Sequence, residues 1–237
     1  MKTLKKRFLV KLSGEVIKGD KDSGISWEAS DKICSRLAQI VKSGVELSFV
    51  IGGGNIFRGA SGSIKNYNRL FGDQIGMMST VINGLVFCER MQSYDIPALL
   101  QSGIKIDGIA ELFNKDNVEE TFKKNGVVVF CGGLGMPFFS TDTTSVVRAM
   151  QIGASCLFKA TKVNGIYDKD PKKYPNAKKF DQITFNEMLE KELKVMDLTS
   201  IVLMKENNLK LMVFDIFKEN SLENACKGKI VGTIVEK

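Results

Sequence analysis

Three consecutive glycines, Gly52-Gly53-Gly54, follow an apolar segment of this 237-residue chain and lie shortly before Arg58. Because glycine has no Cβ, the backbone N–H groups of such a turn can approach an anion closely. An arginine beside the turn can bind a phosphate through two parallel hydrogen bonds. The alternative, a tight turn without a ligand, is weaker, because three glycines in a row give the unfolded chain extra freedom that the folded state should offset.

The glycine turn does not fit two common nucleotide-binding templates. The P-loop pattern GxxxxGK[ST] occurs nowhere in the chain. Phe57 stands where a Rossmann fingerprint requires a third glycine. We therefore interpret the turn as a backbone surface on which two phosphate groups meet, with Lys11 and Arg58 beside it.

Other polar stretches also follow apolar segments. The stretch 11–14 (Lys-Leu-Ser-Gly) joins a lysine to turn amides that can donate to a phosphate, although an edge lysine and an ordinary turn would look the same. The stretch 159–171 has lysines, an Asn-Gly turn, a tyrosine and two aspartates, which suit a nucleotide as well as they suit a solvated loop. The stretch 132–142 combines glycines, phenylalanines and a Ser-Thr-Asp ending, which predict a pocket for a flat base and a helix cap at once.

The chain contains no histidine. This absence excludes Ser-His-Asp and Cys-His nucleophile systems, HExxH metal sites and Cys2His2 zinc fingers. Phosphoryl transfer needs little beyond lysine, arginine, aspartate and backbone amides, because its catalysis consists mostly of positioning and charge stabilisation. The net charge of +7 suits small polyanions such as nucleotides. The scattered lysines, without an arginine-rich arm, predict no nucleic-acid partner.

The remaining composition predicts a cytoplasmic protein. No segment reaches the roughly 18 apolar residues that a membrane helix needs, and the apolar run after the basic N-terminus is too short for a signal peptide. The cysteines are widely spaced, odd in number and without a CxxC pair, so neither a disulfide framework nor a zinc site is indicated. Three of them lie in apolar runs and are expected in the core: Cys88, Cys131 and Cys156.

Apolar strand-like runs alternate with helix-like stretches along the chain, and the last such run is Ile230–Val235. This alternation predicts an α/β fold with a mainly parallel sheet covered on both faces. No linker or repeat interrupts residues 1–237, so we expect one domain. A long helix is predicted over about 73–93, with Asp73 at its start. An N-cap is the favoured role for this aspartate, over a carboxylate that accepts from ribose hydroxyls. Gly76, Thr80 and Gly84 form a small-residue face on this helix, for packing inside the domain or against another subunit.

Together, these stretches resemble the amino acid kinase superfamily and, within it, the prokaryotic UMP kinases. The resemblance covers nearly the whole chain. Its motifs are Lys-Leu-Ser-Gly at 11–14, Ile-Gly-Gly-Gly-Asn-Ile-Phe-Arg-Gly at 51–59, Gly-Asp at 72–73, Gly-Met-Met at 76–78, Ile-Asn-Gly-Leu at 82–85, Pro-Phe-Phe-Ser-Thr-Asp at 137–142, Lys-Ala-Thr-Lys-Val-Asn-Gly at 159–165, Asp-Pro at 170–171 and Lys-Glu-Leu-Lys-Val-Met-Asp at 191–197.

The resemblance implies a three-layer αβα sandwich that forms a homohexamer and uses ATP with Mg²⁺ to phosphorylate UMP to UDP, in pyrimidine nucleotide biosynthesis and with UTP as an inhibitor. It implies no resident metal site. The implied catalytic residues are Lys11, Arg58, Asp142 and Lys159. The residues implied to bind ATP are Lys11, Leu12, Ser13, Gly14, Gly54, Arg58, Thr161, Tyr167 and Asp170. Those implied to bind UMP are Gly53, Asp73, Leu134, Gly135, Met136, Pro137, Phe138, Phe139, Ser140 and Thr141.

The sequence departs from the family pattern in two places. The family usually has Thr-Gly-Asn-Pro where this chain has Leu134-Gly135-Met136-Pro137, so two polar side chains are missing where the base is expected. The loop 19–24 differs from the family's usual Gly-Phe-Gly region, and GTP activation is therefore not carried over. Two other functions remain open: a superfamily kinase that forms an acyl phosphate, and a non-catalytic regulator that binds a nucleotide or a nucleic acid.

Overall fold

The computed structural model describes residues 6–58 and 68–237. Gly59, the last residue of the predicted phosphate-binding stretch, and the basic N-terminal residues 1–5 lie outside these ranges. The strands are β1 (Arg7–Leu12), β2 (Glu46–Ile51), β3 (Ala98–Ser102), β4 (Glu111–Leu112), β5 (Val127–Cys131), β6 (Cys156–Thr161), β7 (Ile166–Tyr167), β8 (Lys179–Phe180), β9 (Gln182–Thr184), β10 (Lys210–Asp215) and β11 (Thr233–Glu236). The helices are α1 (Glu15–Lys18), α2 (Trp27–Lys42), α3 (Arg69–Gln92), α4 (Lys115–Lys123), α5 (Thr141–Gln151), α6 (Phe185–Glu190), α7 (Leu198–Asn207) and α8 (Ser221–Cys226).

Within the described ranges, nine strands form one sheet in the order β4-β3-β5-β2-β1-β6-β10-β11-β9. Neighbouring strands pair in parallel, except that β10 and β11 are antiparallel. The short strands β7 and β8 form a separate antiparallel pair. The prediction of a mainly parallel sheet is confirmed.

The two faces of the sheet pack against different sets of helices. Val10 and the residues on its face form a core with α1, α2, α3 and α8. Leu9 points the other way, into a core with α4, α5, α6 and α7, because side chains alternate along a strand. The predicted αβα sandwich is confirmed, and all five cysteines are free and buried. The expectation of one domain over residues 1–237 stays a prediction.

Two predicted boundaries were wrong. The long helix begins at Arg69, because the Asn68 side chain caps it by accepting from the backbone N–H of Leu70 at 2.8 Å. Asp73 therefore lies in the second turn of α3 and is not its N-cap. The last strand begins at Thr233 and not near residue 230, because Gly232 has a φ of 73° and packs so tightly that an added Cβ would lie 2.1 Å from the carbonyl oxygen of Val213.

The central strands bring four polar loops to one edge of the sheet. Strands β5, β2, β1 and β6 are neighbours and run in the same direction, and ligands of such sheets bind beyond the carboxyl ends of the strands. The loops that follow these strands are the stretches singled out in the sequence. Across residues 6–58 and 68–237, no helix is both long and apolar enough to cross a membrane.

Candidate functional site

Two lysines on neighbouring strands share one aspartate. Lys11 on β1 lies opposite Lys159 on β6 in the parallel register. Asp142, in the first turn of α5, receives both: the Lys11 Nζ lies 2.9 Å from Oδ1, and the Lys159 Nζ lies 2.7 Å from Oδ2. All three side chains are largely buried, with 12–16% of their surface exposed. We call these three residues the buried cluster.

Burial and charge act in opposite directions on the buried cluster. Burial alone would raise the pKa of Asp142, but the two ammonium groups outweigh it and hold the pKa below its ordinary value. Burial lowers the pKa of Lys159, and the Asp142 carboxylate offsets only part of this effect. Lys159 also donates to the backbone carbonyl of Val195. Since one carboxylate faces two lysines, the cluster retains positive charge for an anionic ligand.

The glycine turn fits tightly between two other backbone segments. A Cβ added at Gly53 would lie 2.7 Å from the Cβ of Ser79 and 2.9 Å from the carbonyl oxygen of Gly76, both on α3. A Cβ added at Gly14 would lie 2.6 Å from the carbonyl oxygen of Gly52. These positions require glycine because of close backbone approach, and the turns after β1 and β2 therefore touch each other.

A second group of charges lies on the loops beside the glycine turn. Arg58 donates from Nε to the carbonyl oxygen of Gly54 at 2.8 Å, and its guanidinium pairs with Glu15. Lys162 and Lys18 approach the same carboxylate at 3.4 and 3.5 Å. Burial would raise the pKa of Glu15, but these cations together lower it. We call the group of Glu15, Arg58, Lys18 and Lys162 the loop cluster.

A cavity of about 180 Å³ lies between the glycine turn, α3 and the start of α5. Half of the residues expected to hold UMP line it: Gly53, Asp73, Met136, Phe139 and Thr141. The other half do not line it, within the part of the chain that the structure describes: Leu134, Gly135, Pro137, Phe138 and Ser140.

Three of these residues make other contacts. Gly135 packs against Gly103, whose carbonyl oxygen would lie 2.2 Å from an added Cβ. Phe138 donates its backbone N–H to Asp73 at 2.8 Å, so Asp73 holds the loop before α5 as well as lining the cavity. The Ser140 hydroxyl accepts from the backbone N–H groups at the start of α5, which it caps, and donates to Asp197.

A larger cavity, of about 580 Å³, is lined by Lys159 and by the residues expected on the nucleoside side of ATP, Thr161, Tyr167 and Asp170. The Thr161 hydroxyl donates to the carbonyl oxygen of Val163 at 2.8 Å. The Asp170 carboxylate accepts from the backbone N–H of Lys172 at 3.0 Å. Both side chains therefore shape the loop that walls this cavity.

The buried cluster connects the two cavities. Asp142 directly follows Thr141, which lines the smaller cavity, and binds Lys159, which lines the larger one. Leu12 is the last residue of β1, Ser13 and Gly14 follow it, and Gly14 lies against the glycine turn. The structure thus joins the residues predicted for two different phosphate groups at one place.

Sequence reasoning missed several residues of this site. Glu15 was not singled out, although an acid directly after the Ser-Gly turn was visible. Asp197 lies in a motif that was noted, but its role was not: it accepts from Thr143 at 3.0 Å and from Ser200, and so ties α5 to α7. The carbonyl of Val195 that receives Lys159 has no sequence signal, because any residue supplies a carbonyl.

Comparison with known proteins gives consistent results. The Amino acid kinase family matches this chain over residues 6–215. A uridylate kinase of Magnetococcus marinus is 43% identical over 231 residues, which cover 98% of this chain and 96% of that protein. The UMP kinase of Ureaplasma parvum superposes with a TM-score of 0.92 at 35% identity, covering 99% of this chain and 100% of that one. The UMP kinase of Bacillus anthracis also gives 0.92, at 30% identity, covering 98% and 96% of the two chains.

Proposed function

Because this chain belongs to the amino acid kinase family, and within it to the uridylate kinases, we propose that it transfers the γ-phosphoryl group of ATP to UMP. The observation that carries this function is the buried cluster of Lys11, Asp142 and Lys159, which connects two cavities beside a shared glycine turn. The predicted family and enzyme class agree with the relatives. These are uridylate or UMP kinases, and they align with nearly the whole chain. No comparable support favours an acyl-phosphate kinase or a non-catalytic regulator.

In this proposal each cavity takes one nucleotide. ATP occupies the larger cavity with its nucleoside, near Tyr167, and its phosphates extend toward Ser13, Gly14 and Gly54. UMP occupies the smaller cavity, where Asp73 faces the ribose hydroxyls. The phosphates of ATP and UMP meet on the backbone of the glycine turn.

The reaction then requires alignment and positive charge more than proton transfer. An oxygen of the UMP phosphate is already anionic, and it attacks the γ-phosphorus in line with the bond to ADP. The new P–O bond forms as the old one breaks, and ADP carries away the electron pair. Lys11, Arg58 and the turn amides stabilise the charge on the transferred group, while Asp142 holds the two lysines in place.

Mg²⁺ is proposed to arrive with ATP. Among residues 6–58 and 68–237, no group of three or more cysteine and acidic side chains is arranged to hold a metal ion. Mg²⁺ that arrives with a nucleotide is usually held by the substrate phosphates with one or two carboxylates, so it needs few protein ligands. Asp142 is the carboxylate of the buried cluster that could join those phosphates. When bound, the ion would neutralise charge on the β- and γ-phosphates.

The test is a coupled ADP-release assay with ATP, Mg²⁺ and UMP, CMP or dCMP, with the nucleotide products identified by chromatography. We expect ADP and UDP in equal amounts with UMP. Acyl phosphate formed from a carboxylate substrate would favour the first alternative function. Nucleotide binding without release of ADP from any acceptor would favour the regulator.

A homohexamer is also proposed, from the outer face of α3. The small-residue side of α3 packs inside the domain. A Cβ added at Gly84 would lie 2.8 Å from Leu100 Cδ1, and the Thr80 hydroxyl accepts from the backbone N–H of Gly132. The opposite side is apolar and exposed, through Phe71, Ile75, Met78, Ile82 and Leu85. A second copy of this chain would cover it. Light scattering should give six times the chain mass for the wild type, and Ile82→Lys should give a smaller mass.

Three further proposals go with the same substrates. They are a cytoplasmic location, a place in pyrimidine nucleotide biosynthesis and inhibition by UTP. UTP carries the base and ribose of UMP, so it should compete for the smaller cavity. A rise in the KM for UMP with added UTP, and an unchanged KM for ATP, would support this site of inhibition. A rise in the KM for ATP instead would contradict it.

A further inference from the structure

Two asparagine side chains face each other beneath the glycine turn. Asn55, which follows the turn, is 3% exposed, and Asn83, in the middle of α3, is completely buried. Asn55 Nδ2 donates to Asn83 Oδ1 at 3.0 Å, and Asn83 Nδ2 donates to Asn55 Oδ1 at 2.7 Å. Each amide therefore satisfies the other, as buried polar groups require.

The remaining hydrogen bonds of the pair hold three segments of backbone. Asn83 Nδ2 also donates to the carbonyl oxygen of Gly52, at 2.9 Å. Asn55 Nδ2 donates to the carbonyl oxygen of Gly24 at 2.9 Å, and the backbone N–H of Gly24 donates back to the Asn55 carbonyl at 2.7 Å. The pair thus ties α3 to the glycine turn and to the loop that precedes α2.

The pair also lies against the turn after β1. A Cβ added at Gly14 would lie 2.1 Å from Asn55 Oδ1. Helix α3 carries Asp73 and Thr80 into the smaller cavity. One hydrogen-bonded unit therefore contacts both the turn proposed for the ATP phosphates and the helix proposed for UMP.

We propose that Asn55 and Asn83 are positioning residues that set the separation of the two phosphate sites. This inference rests on the proposed function. Neither side chain touches the reacting atoms; each acts through the backbone of Gly52, Gly14 and α3. In-line transfer depends strongly on that separation, because a displacement of about 1 Å at a reacting group can lower a rate roughly a hundredfold.

The expected signature is a loss of turnover with little loss of binding. Asn83→Ala and Asn55→Ala should each lower kcat by about tenfold or more, and change either KM by less than about threefold, since each nucleotide keeps its own contacts. The double variant should be little worse than the poorer single variant, because removing either amide already breaks the unit.

Ser48→Ala is the matched control. Ser48 is a completely buried residue of β2, the strand that leads into the turn, and its hydroxyl donates to the carbonyl oxygen of Phe8 at 3.2 Å. It should lower the melting temperature as a lost buried hydrogen bond does, while kcat stays within about twofold of the wild type. All assays are run at least about 15 °C below the lowest melting temperature, so that unfolding does not enter the rates.

Turnover of both asparagine variants within twofold of the wild type would overturn the inference, and so would an equal loss of turnover in Ser48→Ala. If Asn83→Ala does not fold, Asn55→Ala decides the question alone, because Asn55 lies in a turn outside the helix. A wild-type chain that forms no UDP would instead refute the proposed function. The two failures are therefore distinguishable.

Discussion

The two charge clusters beside the glycine turn are built on different kinds of backbone. The buried cluster takes Lys11 and Lys159 from neighbouring central strands and Asp142 from the first turn of a helix. The loop cluster takes its residues from a one-turn helix and from loops, and its Arg58 and Lys162 side chains are 58% and 46% exposed. The first has a fixed geometry, and the second is accessible to solvent through its Arg58 and Lys162 side chains.

This difference suggests different roles in the proposed reaction. Charges that stabilise a transition state are most effective when their positions are fixed in advance and shielded from water. Charges that receive an incoming nucleotide must give up an existing partner, which is easy for an exposed pair that contributes little to stability. We therefore expect the buried cluster to affect mainly turnover. The loop cluster should affect mainly ATP binding, with a smaller contribution of Arg58 to turnover.

The largest expected effect is that of Lys11→Ala. Removing one fixed charge that stabilises the transferred group should lower kcat by about 10²- to 10³-fold, with a much smaller change in the KM for UMP. Steady-state kinetics on the purified variant measures both constants. Lys18→Ala removes a lysine of the loop cluster and should leave kcat within about twofold. If Lys18→Ala lowers kcat as much as Lys11→Ala does, the distinction between the clusters fails.

Asp142→Asn should lower stability in a pH-dependent way. It leaves two buried lysines without their counter-charge, which should cost about 2–3 kcal/mol near pH 7, somewhat below the value for a fully buried pair. The pKa of Asp142 is lowered in the folded state, so its stabilisation is present above the ordinary carboxyl pKa of about 3.9 and is lost as pH falls through the lowered value.

Urea unfolding of the wild type and of Asp142→Asn at several pH values checks this prediction. The difference between their unfolding free energies should be largest near neutral pH and should shrink below about pH 4. A difference that stays constant down to pH 3 would mean that the charge of Asp142 is not what stabilises the cluster.

Arg58→Ala should act mainly on ATP. Loss of a guanidinium that can bind a phosphate through two hydrogen bonds should raise the KM for ATP about tenfold, with kcat reduced less than in Lys11→Ala. Arg58→Lys should restore only part of the affinity, because an ammonium group binds as a point charge. Full recovery by lysine would show that the charge alone is sufficient.

The smallest expected effect is that of Glu15→Gln. Glu15 competes with the ATP phosphates for Arg58 and Lys162, so removing its charge should lower the KM for ATP by about twofold at low salt. The difference should disappear at about 0.5 M salt, because exposed charges are screened. A raised KM at low salt would show that Glu15 organises the cations and does not compete with ATP.

Much of the fold could be predicted from the sequence, because long apolar strands and amphipathic helices have strong local patterns. The convergence of the stretches after β1, β2, β5 and β6 followed from the rule on the carboxyl ends of parallel strands. The start of α3 was misplaced because Asp73 and Asn68 are both good caps, and local sequence does not decide between them. The four-residue helix α1 and the six-residue α8 carry too few residues for a periodic pattern.

The site was predictable in its parts more than in its connections. Lys11, Arg58 and the glycine turn stood out by residue type and spacing. The pairing of Lys11 and Lys159 with Asp142 depends on strand order, which a single sequence does not reveal directly. Asn83 lies three residues after Thr80 and seven after Gly76, on the small-residue face of α3, so helical periodicity pointed it inward. Its partner Asn55 could be identified only once the turn was folded against that helix.

The strand that carries Lys11 is the first strand of the described residues, yet it lies in the interior of the sheet, between β2 and β6. Its pairing with β6 joins Phe8 to Cys156. During synthesis, the second edge of β1 stays uncovered until β6, at Cys156–Thr161, has been made. Such distant pairing slows folding and leaves a strand edge exposed to aggregation. A product truncated before β6 would therefore lack both Lys159 and the strand that covers the second edge of β1.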